Sequence, residues 1–463
     1  MKYKRGGKMS TIAAISTAPG VGGIGIIRMS GAECFDILDK IFIPKNKTEI
    51  ESYKMKYGKI IDTKTKEEID EVLVSYFVSP KSYTTENMCE INSHGGIIVM
   101  NKILNECLKN GAVLAEPGEF TKRAFLNGRI DLSQAEAVID VINAKSNIEA
   151  KASIKQLNGS LSQKINDIKK KLIDMMVDIE ASIDYPEYDV EEVTNEKAKQ
   201  RIDETIIDLK KLEESFDDGK IVKDGIKTAI IGTPNAGKSS LLNAILDEDR
   251  AIVTAIEGTT RDTIEEFITI KGIPLKIVDT AGIRQAKDEV EKIGIEKTKE
   301  YVKNSDLIIA IFDATRELKK EDIEILEMIK DKNSIIVLNK EDLKNNVLDN
   351  EEKIINSGKK IIKISALKKT GIEEIYDEIF NLFNLNKIQI EDGQFITNIR
   401  HKNSITNARK KLEKSKQTII DNMPIDIISI DIKDALNELG KITGDSVSED
   451  IIKEIFKKFC LGK

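Results

Sequence analysis

The pattern of apolar positions divides the chain into regions of different character. Between residues 10 and about 128, short β-rich runs alternate with Gly and Pro, which predicts a compact α+β domain. These runs are Thr11 to Ser16, Ile24 to Met29, Glu71 to Val78 and Met88 to Asn92.

From Leu132 onward the apolar period becomes helical. Spacings of three and four predict a long amphipathic helix along Leu161, Ile165, Ile168, Leu172, Met176, Ile179 and Ile183. After the turn-like Tyr185-Pro186-Glu187, the same period predicts a second long helix along Ala198, Ile202, Ile206, Leu209, Leu212 and Phe216. Two apolar stripes of this length need partners that bury them.

At Lys227 strands begin to alternate with helices, which is typical of an α/β unit. The strand-like runs are Thr228 to Ile231, Leu275 to Asp279, Leu307 to Asp313, Ile335 to Asn339 and Ile361 to Ser365. Beyond about residue 386 the chain is helical again, and Ser446 with Glu449 predicts a capping box that opens the last helix. We therefore expect four segments, an α+β domain over 1–128, a first helical half over 129–224, an inserted α/β domain over 225–385 and a second helical half over 386–463.

The composition of the chain limits the kinds of protein that it can be. The 463 residues contain 72 Lys and Arg against 79 Asp and Glu, a net charge of −7, with 40% hydrophobic residues and no Trp. Apolar runs such as Leu307 to Phe312 are far shorter than the roughly 18 residues that a membrane helix needs. The basic residues before Pro19 do not indicate an export signal. Met9 could be the true start. Four scattered cysteines indicate neither a disulfide framework nor a zinc site, so we expect a cytoplasmic protein.

The α/β segment carries a phosphate-binding loop. Gly232-Thr-Pro-Asn-Ala-Gly237-Lys238-Ser239 follows a strand and opens a helix, so backbone N–H groups and the helix dipole can surround phosphates. Lys238 would supply charge between the β- and γ-phosphates. Ser239 and Thr260 would supply hydroxyls for Mg²⁺, and Asp279 would hold that ion through its water shell.

Three further motifs follow strands, as phosphate and base contacts should in a parallel sheet. Gly282 of Asp279-Thr-Ala-Gly282 can donate to a γ-phosphate, and Asp342 can accept both guanine N1–H and the exocyclic amine, which adenine cannot match. Asn339 and the Ala366 N–H can reach the purine edge. These motifs predict a GTPase; the alternative is an ATP-binding domain with a fortuitous Asn-Lys-x-Asp.

Because Ile283 stands where many GTPases have Gln, another group must orient water, and either Glu289 or Glu291 could do so.

With the P-loop, Thr259-Thr260-Arg261-Asp262 and Cys460-Leu-Gly-Lys463 in view, the chain resembles the MnmE (TrmE) family of tRNA-modification GTPases over nearly its whole length. The resemblance implies a Ras-like P-loop domain inserted in a helical domain, with Lys238 and Glu291 as catalytic residues. It implies K⁺ bound by Asn235, Thr254, Ile256 and Thr259, and hydrolysis driven by transient pairing of two such domains. The GTP-contacting residues would be Asn235, Ala236, Gly237, Lys238, Ser239, Ser240, Thr254, Ala255, Ile256, Glu257, Gly258, Thr259, Thr260, Asp279, Thr280, Ala281, Gly282, Asn339, Lys340, Asp342, Ser365, Ala366 and Leu367.

For the N-terminal domain the resemblance implies homodimerisation and binding of a tetrahydrofolate derivative, 5-formyl or 5,10-methylene. The matching residues are Arg28, Glu90, Arg129 and Lys463. A carboxylate suits the N–H donors of a pterin, and cations suit a glutamate tail. Thr85 and Asn87 stand where the family more often has Gly and Asp.

The resemblance further implies a partner of the MnmG type that uses FAD and NADH, in a heterotetramer or larger assembly. Together they would add an aminomethyl or carboxymethylaminomethyl group to C5 of the wobble uridine of certain tRNAs. The alternatives are a ribosome-assembly GTPase and a one-carbon transferase acting on a small molecule.

Gly20-x-Gly22-x-x-Gly25 is followed by a strand-like run, so we reject a dinucleotide site there. Cys460 is a poor prenylation site but a conceivable nucleophile. His94 and His401 are expected to be structural or surface groups.

Overall fold

The computed structural model describes residues 9–46, 48–184, 191–248, 266–278, 294–343, 352–385, 396–421 and 423–463. The chain forms two compact units. Unit 1 comprises Met1–Ile139, Gln156–Ile206 and Asn407–Lys463, and unit 2 comprises Asp140–Lys155 and Ile207–Thr406. Each unit is therefore built from segments that are distant in sequence.

Unit 1 contains a seven-stranded sheet in the order β3-β4-β5-β6-β2-β1-β7. Its strands are β1 (Ile12–Ile15), β2 (Gly22–Ser30), β3 (Phe42–Pro44), β4 (Lys54–Ile61), β5 (Glu68–Phe77), β6 (Met88–Gly95) and β7 (Val113–Leu114). Only the β1–β7 pair is parallel; the other pairs in this described sheet are antiparallel. Alternate residues such as Val72, Val74 and Tyr76 are buried, because successive side chains of a strand point to opposite faces.

Two helices, α1 (Cys34–Ile41) and α2 (Ile97–Lys109), share a hydrophobic core with this sheet. A third, α3 (Glu119–Leu126), packs in a separate cluster with residues from the far end of the sequence, Ile452, Phe456 and Phe459. The strands β1 to β7 and the helices α1 to α3 thus form an α+β region, as the sequence predicts.

Among the described residues, the helices of the helical region lie on both sides of the second sheet in sequence. They are α4 (Leu132–Asn143), α5 (Asn147–Leu157), α6 (Ser160–Asp184) and α7 (Glu191–Asp224) before the second sheet, with three more after it. The buried stripe of α6 contains Met175, not the predicted Met176, because its spacing alternates strictly between four and three; the Ile183 side chain lies outside the described residues. The predicted stripe of α7 is buried throughout, at Ala198, Ile202, Ile206, Leu209, Leu212 and Phe216.

In unit 2 a six-stranded sheet has the order β13-β12-β11-β8-β10-β9. Its strands are β8 (Ile226–Ile231), β9 (Glu266–Ile270), β10 (Ile273–Ile277), β11 (Leu307–Asp313), β12 (Ser334–Asn339) and β13 (Lys360–Ile364). All described pairs are parallel except β9–β10. Its helices are α8 (Lys238–Glu248), α9 (Gly294–Asn304), α10 (Lys320–Met328), α11 (Glu352–Ile355) and α12 (Ile372–Leu382).

Helices cover both faces of this sheet. Along β11, Ile309 and Ile311 belong to one hydrophobic cluster, and Ile308, Ala310 and Phe312 belong to another. The first cluster includes residues of α8 and α12, and the second includes residues of α9 and α10. A strand buried on both faces reads as a continuous apolar run, which is why the sequence locates β11 so well.

The last three helices are α13 (Ile399–Ile420), α14 (Ile425–Thr443) and α15 (Glu449–Phe456). The predicted capping box at Ser446 is wrong, because the N-cap of α15 is Ser448. Gly444 ends α14 in the left-handed conformation, and the Ser446 N–H donates to Gly440 O at 3.3 Å. Ser446 therefore belongs to the end of α14, where the freed carbonyls need donors.

Residues 140–155, here called the strap, belong to unit 2 although the chain on either side belongs to unit 1. Ile148 of the strap joins the hydrophobic core of the sheet, and a Cβ added to Gly272 in the β9–β10 turn would lie 2.6 Å from Ile148 Cδ1. Lys145 Nζ lies 3.7 Å from the centre of the Phe267 ring, and Lys223 Nζ pairs with Asp140 at 2.7 Å. The strap is thus fixed to the β9–β10 hairpin.

The coarse fold prediction is confirmed, since the protein combines an N-terminal α+β region with helical segments and a second, mainly parallel sheet. Among the helices described, none combines the length and apolarity required to cross a bilayer.

Candidate functional site

The loop between β8 and α8 places the P-loop residues at the amino end of a helix. Asn235 and Gly237 adopt positive φ angles of 64° and 105°, which wrap the loop so that Ala236 N–H donates to Thr233 O at 3.3 Å. Ser239 and Ser240 lie in the first turn of α8. Backbone N–H groups at a helix amino terminus attract anions, so this loop can hold phosphate.

Lys238 folds back over the start of the loop. Its Nζ donates to Gly232 O at 2.8 Å and to Thr233 O at 3.0 Å. Burial lowers the pKa of this amine. A phosphate group would favour the charged form, so an anion at this position would be bound more tightly than in water.

Asn339, at the end of β12, joins two loops of the site. Its Nδ2 donates to Ala236 O at 2.9 Å, and its Oδ1 accepts from the Ala366 N–H at 3.0 Å. A Cβ added to Gly237 would come within 2.0 Å of this Nδ2, so only glycine fits there. The side chain is buried, and it fixes the P-loop against the loop that follows β13.

The loops after β12 and β13 meet at a half-buried carboxylate. Ser365 Oγ donates to Asp342 Oδ1 at 2.7 Å, which lowers the pKa of Asp342, and Lys368 N–H donates to Ser365 Oγ at 3.1 Å. Lys340 has a positive φ of 72° and pairs with Asp313 at 2.6 Å. Leu367 is exposed. The arrangement offers an ionised acceptor, which suits a base edge with two adjacent N–H groups.

Sequence reasoning missed a charged cluster behind the P-loop. Asp322, in the first turn of α10, accepts from Thr233 Oγ1 at 3.0 Å and from Arg316 Nη1 at 2.7 Å. Arg316 Nη2 also donates to Thr233 Oγ1 at 2.9 Å. The available signal was position, because Arg316 and Asp322 follow the carboxyl end of a parallel strand, where such sites form.

The structure thus brings together Asn235–Ser240, Asn339–Asp342 and Ser365–Leu367. The other predicted contacts lie outside the described residues: Thr254, Ala255, Ile256, Glu257, Gly258, Thr259, Thr260, Asp279, Thr280, Ala281, Gly282, Glu289 and Glu291.

A second cluster lies in unit 1 around Arg28. Its Nε and Nη2 both donate to Glu90 Oε1, at 2.9 and 2.6 Å, and its Nη1 donates to Gly462 O at 3.1 Å. The Phe120 N–H donates to Lys463 O at 3.2 Å. Burial, and then the charge of Arg28, lower the pKa of the Lys463 amine. Three of the four predicted folate residues, Arg28, Glu90 and Lys463, are therefore neighbours.

Tyr83 connects Arg129, the fourth predicted folate residue, to this cluster. The guanidinium carbon of the exposed Arg129 lies 4.8 Å from the centre of its ring, and that of Arg28 lies 5.9 Å away. The Tyr83 hydroxyl lies 2.9 Å from Thr121 Oγ1, which fixes the ring. Because a cation is attracted to an aromatic face, Tyr83 holds both arginines on one patch. Nothing in the sequence pattern indicates this role of Tyr83.

The loop before β6 carries a buried ion-pair network. Arg123 Nη1 donates to Glu86 Oε2 at 3.1 Å, and Ser30 Oγ donates to the same oxygen at 2.7 Å. Thr85 adopts a positive φ of 62°, and Asn87 Oδ1 accepts from the Ser79 N–H at 3.0 Å. The loop thus turns through a left-handed residue at Thr85, a conformation that favours glycine.

Other residues singled out from the sequence are placed as follows. The strand β2 begins at Gly22, which agrees with rejection of a dinucleotide fingerprint. Cys460 is an exposed free thiol. His94 is exposed beside Asp70, with Nδ1 and Oδ1 2.7 Å apart, and His401 is buried beside Arg400, with Nε2 and Nη2 2.9 Å apart.

Comparison with known proteins agrees with these observations. Residues 11–129 match the family model of the GTP-binding protein TrmE N-terminus, and residues 132–460 match that of the MnmE helical domain.

Similarity to individual proteins extends over 98% of the chain. A tRNA modification GTPase MnmE of Acetivibrio thermocellus is 50% identical over 457 residues and is covered completely. Proteins with the same name are 51% identical in Clostridioides difficile and 50% identical in Thermoanaerobacter pseudethanolicus, each covered to 99%. The resemblance inferred from the sequence is confirmed, and the chain belongs to the MnmE family of tRNA modification GTPases.

Proposed function

We propose that the protein hydrolyses GTP in a Ras-like domain and uses the cycle to modify tRNA. The observation that carries this proposal is the junction made by Asn339, which ties the P-loop at Ala236 to the base-side loop at Ala366. This junction would hold the phosphate loop and Asp342, the proposed acceptor for guanine, in one site. Family membership supports the same activity.

Guanine selectivity would come from Asp342. A carboxylate accepts the N1–H and the exocyclic amine of guanine together, whereas adenine presents no such pair. Ser365 keeps the pKa of Asp342 low, so the acceptor stays ionised at neutral pH. The Leu367 backbone and the Ala366 N–H would border the base.

Two cations are part of the proposal. The Ser239 hydroxyl, in the first turn of α8, is a hard oxygen donor that suits Mg²⁺ with Thr260, and Asp279 would hold the water shell of the ion. The Asn235 side chain would bind K⁺ together with Thr254, Ile256 and Thr259. Mg²⁺ supplies charge neutralisation, Lys238 binds the phosphates, and Glu291 orients the attacking water.

In unit 1 we propose a folate site in which the four residues have different roles. Arg28 is occupied by Glu90 and Gly462, so it orients the Glu90 carboxylate toward a pterin. Arg129, held on Tyr83, and the Lys463 amine are the cations for a glutamate tail. The donor would be a 5-formyl or 5,10-methylene tetrahydrofolate, and the domain would mediate homodimerisation.

The reaction proposed is addition of an aminomethyl or carboxymethylaminomethyl group to C5 of a wobble uridine, in the cytoplasm. An FAD-dependent partner of the MnmG type would supply redox chemistry. The chain itself has a net charge of −7, which is consistent with a partner that makes much of the tRNA contact.

The decisive experiment is mass spectrometry of nucleosides from bulk tRNA of a strain that lacks this protein. The strain is complemented with wild type, with Glu291→Ala or with the matched Glu289→Ala. We expect a C5-substituted uridine to disappear in the deletion and to return with wild type and with Glu289→Ala. An unchanged nucleoside profile in the deletion would overturn the proposal and favour the ribosome-assembly alternative.

Potassium dependence is tested on the purified protein. Hydrolysis should be faster in KCl than in NaCl at equal ionic strength, because the proposed ligands select the larger ion. Equal rates in the two salts would remove K⁺ from the mechanism while leaving GTP hydrolysis itself intact.

A further inference from the structure

Behind the P-loop, three side chains close a ring of hydrogen bonds. The Thr233 hydroxyl donates to Asp322 Oδ1 at 3.0 Å and accepts from Arg316 Nη2 at 2.9 Å. Arg316 completes the ring with Nη1 on Asp322 Oδ2 at 2.7 Å. Both the donor and the acceptor capacity of the threonine are therefore used, and its χ1 angle is fixed.

Within this ring, Thr233 and Asp322 are protected from water. The Asp322 side chain is 1% exposed, and it also accepts from the Lys319 N–H at 2.9 Å, at the amino end of α10. Burial alone would raise the pKa of Asp322, but the bonds from Arg316, Lys319 and Thr233 hold it below its usual range. The carboxylate is thus ionised and rigidly placed, because a buried charge with all its partners has one favourable arrangement.

The ring acts on the backbone that faces Lys238. Thr233 is the second residue of the P-loop, and its carbonyl, with that of Gly232, accepts from Lys238 Nζ at 3.0 and 2.8 Å. When the Thr233 side chain is fixed, the peptide groups on either side of it are fixed as well. The same loop then presents its N–H groups in one orientation.

A second contact ties the ring to the base side of the site. Arg316 follows Thr315, whose N–H and hydroxyl both donate to Asp313 Oδ1, at 3.0 and 2.7 Å. Asp313 Oδ2 accepts from Lys340 Nζ at 2.6 Å. The loop after β11 therefore contacts the P-loop through Arg316 and the base-side loop through Asp313.

We propose that Asp322 and Arg316 are positioning residues, which act through the Thr233 hydroxyl to hold the P-loop in its phosphate-binding shape. This inference rests on the proposed nucleotide site. Preorganisation reduces the ordering that a bound ligand must impose, so it raises affinity for GDP and GTP alike. Removing the Thr233 hydroxyl should therefore weaken the binding of both nucleotides.

The test uses the full-length protein and fluorescent GDP and GTP analogues. Thr233→Val removes only the hydroxyl, and Thr233→Ser retains it. The matched control is Thr228→Val, since Thr228 is buried in β8 of the same sheet but its hydroxyl donates to Ile226 O at 3.0 Å, away from the loop. Arg316→Ala and Arg316→Lys form a second series at a position that is partly exposed.

We expect Thr233→Val to bind both nucleotides about tenfold to a hundredfold more weakly, as lost hydrogen bonds and unpaired buried groups predict. Thr233→Ser and Thr228→Val should bind within about threefold of wild type, and Arg316→Lys should bind more tightly than Arg316→Ala. Recovery of affinity in Thr233→Ser, together with a circular-dichroism spectrum of Thr233→Val that matches wild type, separates this effect from a general loss of folding.

Two outcomes would overturn the inference. One is equal affinity of Thr233→Val and Thr228→Val for GDP and for GTP. The other is a slower chemical step in saturated Thr233→Val at unchanged affinity. Failure of wild type to bind either nucleotide would instead reject the proposed nucleotide site, so the two failures are distinguishable.

Discussion

A buried glutamate in the strap makes the stability of unit 2 depend on pH. Glu149 lies in α5 beside the core residue Ile148, and its Oε2 accepts from the Lys145 N–H at 2.6 Å. Burial raises the pKa of this carboxyl to about 7, and Asp140 adds to the effect, while the Lys145 N–H bond and the charges of Lys145 and Lys223 oppose it. The folded protein therefore binds this proton more tightly than the unfolded chain does.

The sign and size of the effect follow from that difference. As pH rises from about 4.5 to about 7, the unfolded chain releases the proton first, so the free energy of unfolding falls. At 1.36 kcal/mol per pH unit, the interval from 4.5 to about 7 corresponds to about 3 kcal/mol lost at pH 8.

Glu149→Gln should remove this loss, because glutamine is neutral and keeps an acceptor for the Lys145 N–H. We expect its stabilisation over wild type to be about 2 to 3 kcal/mol larger at pH 8 than at pH 5. Hydrogen exchange of amides in the strap and in the β9–β10 hairpin measures local opening free energy at both pH values, after correction for intrinsic exchange.

The control for this measurement is Glu374→Gln, on exposed α12 surface, which should change nothing at either pH. A gain of equal size at pH 5 and pH 8 would show that Glu149 acts through packing and not through ionisation. No gain at pH 8 would show that the carboxylate is well solvated when charged.

Three further changes test other parts of the molecule. Thr85→Gly should raise the free energy of unfolding of the N-terminal region by about 1 kcal/mol in chemical denaturation, since it relieves a φ of 62°, and Thr85→Ala should give no gain. Gly237→Ala should weaken fluorescent GDP binding at least about tenfold, because its Cβ would lie 2.0 Å from Asn339 Nδ2; unchanged affinity would contradict the described packing. Glu106→Gln should destabilise by about 1 to 3 kcal/mol at pH 7. Burial alone would raise the Glu106 pKa, but Lys109 and a nearby threonine lower it, so the deficit should shrink as pH falls below about 4.5 in denaturation followed by circular dichroism.

The sequence predicts best those elements whose environment is uniform along their length. The run Leu307 to Asp313 coincides with β11 because both faces of that strand are buried. The sequence does not predict the antiparallel edge strand β9, because a run of five residues is too short for its periodicity to identify a strand, although Ile268 and Ile270 are buried on one face. The sequence assigns Ser446 to the start of α15, whereas its N–H donates to the end of α14. A capping pattern does not show that a residue already terminates the preceding helix.

The residues of the candidate sites also differ in how well the sequence predicts them. Lys238, Asn339 and Asp342 belong to compact motifs, which the sequence shows directly. The Thr233–Asp322 bond joins residues 89 positions apart, so it could be found only once the fold brought them together. Burial of Ile148 in the core of unit 2 was equally hidden, because the strap is separated from that unit in sequence.

The cluster around Arg28 also has a consequence for the order in which the protein is made. Ser16 Oγ and Arg28 both bind Gly462 O, although 446 residues separate Ser16 from Gly462. At about 5 to 20 residues per second, a ribosome takes about 20 to 90 seconds to cover that distance. During this interval Ser16 and Arg28 exist without the carbonyl that they bind in the finished fold. Unit 2 is therefore synthesised before the N-terminal cluster can be completed.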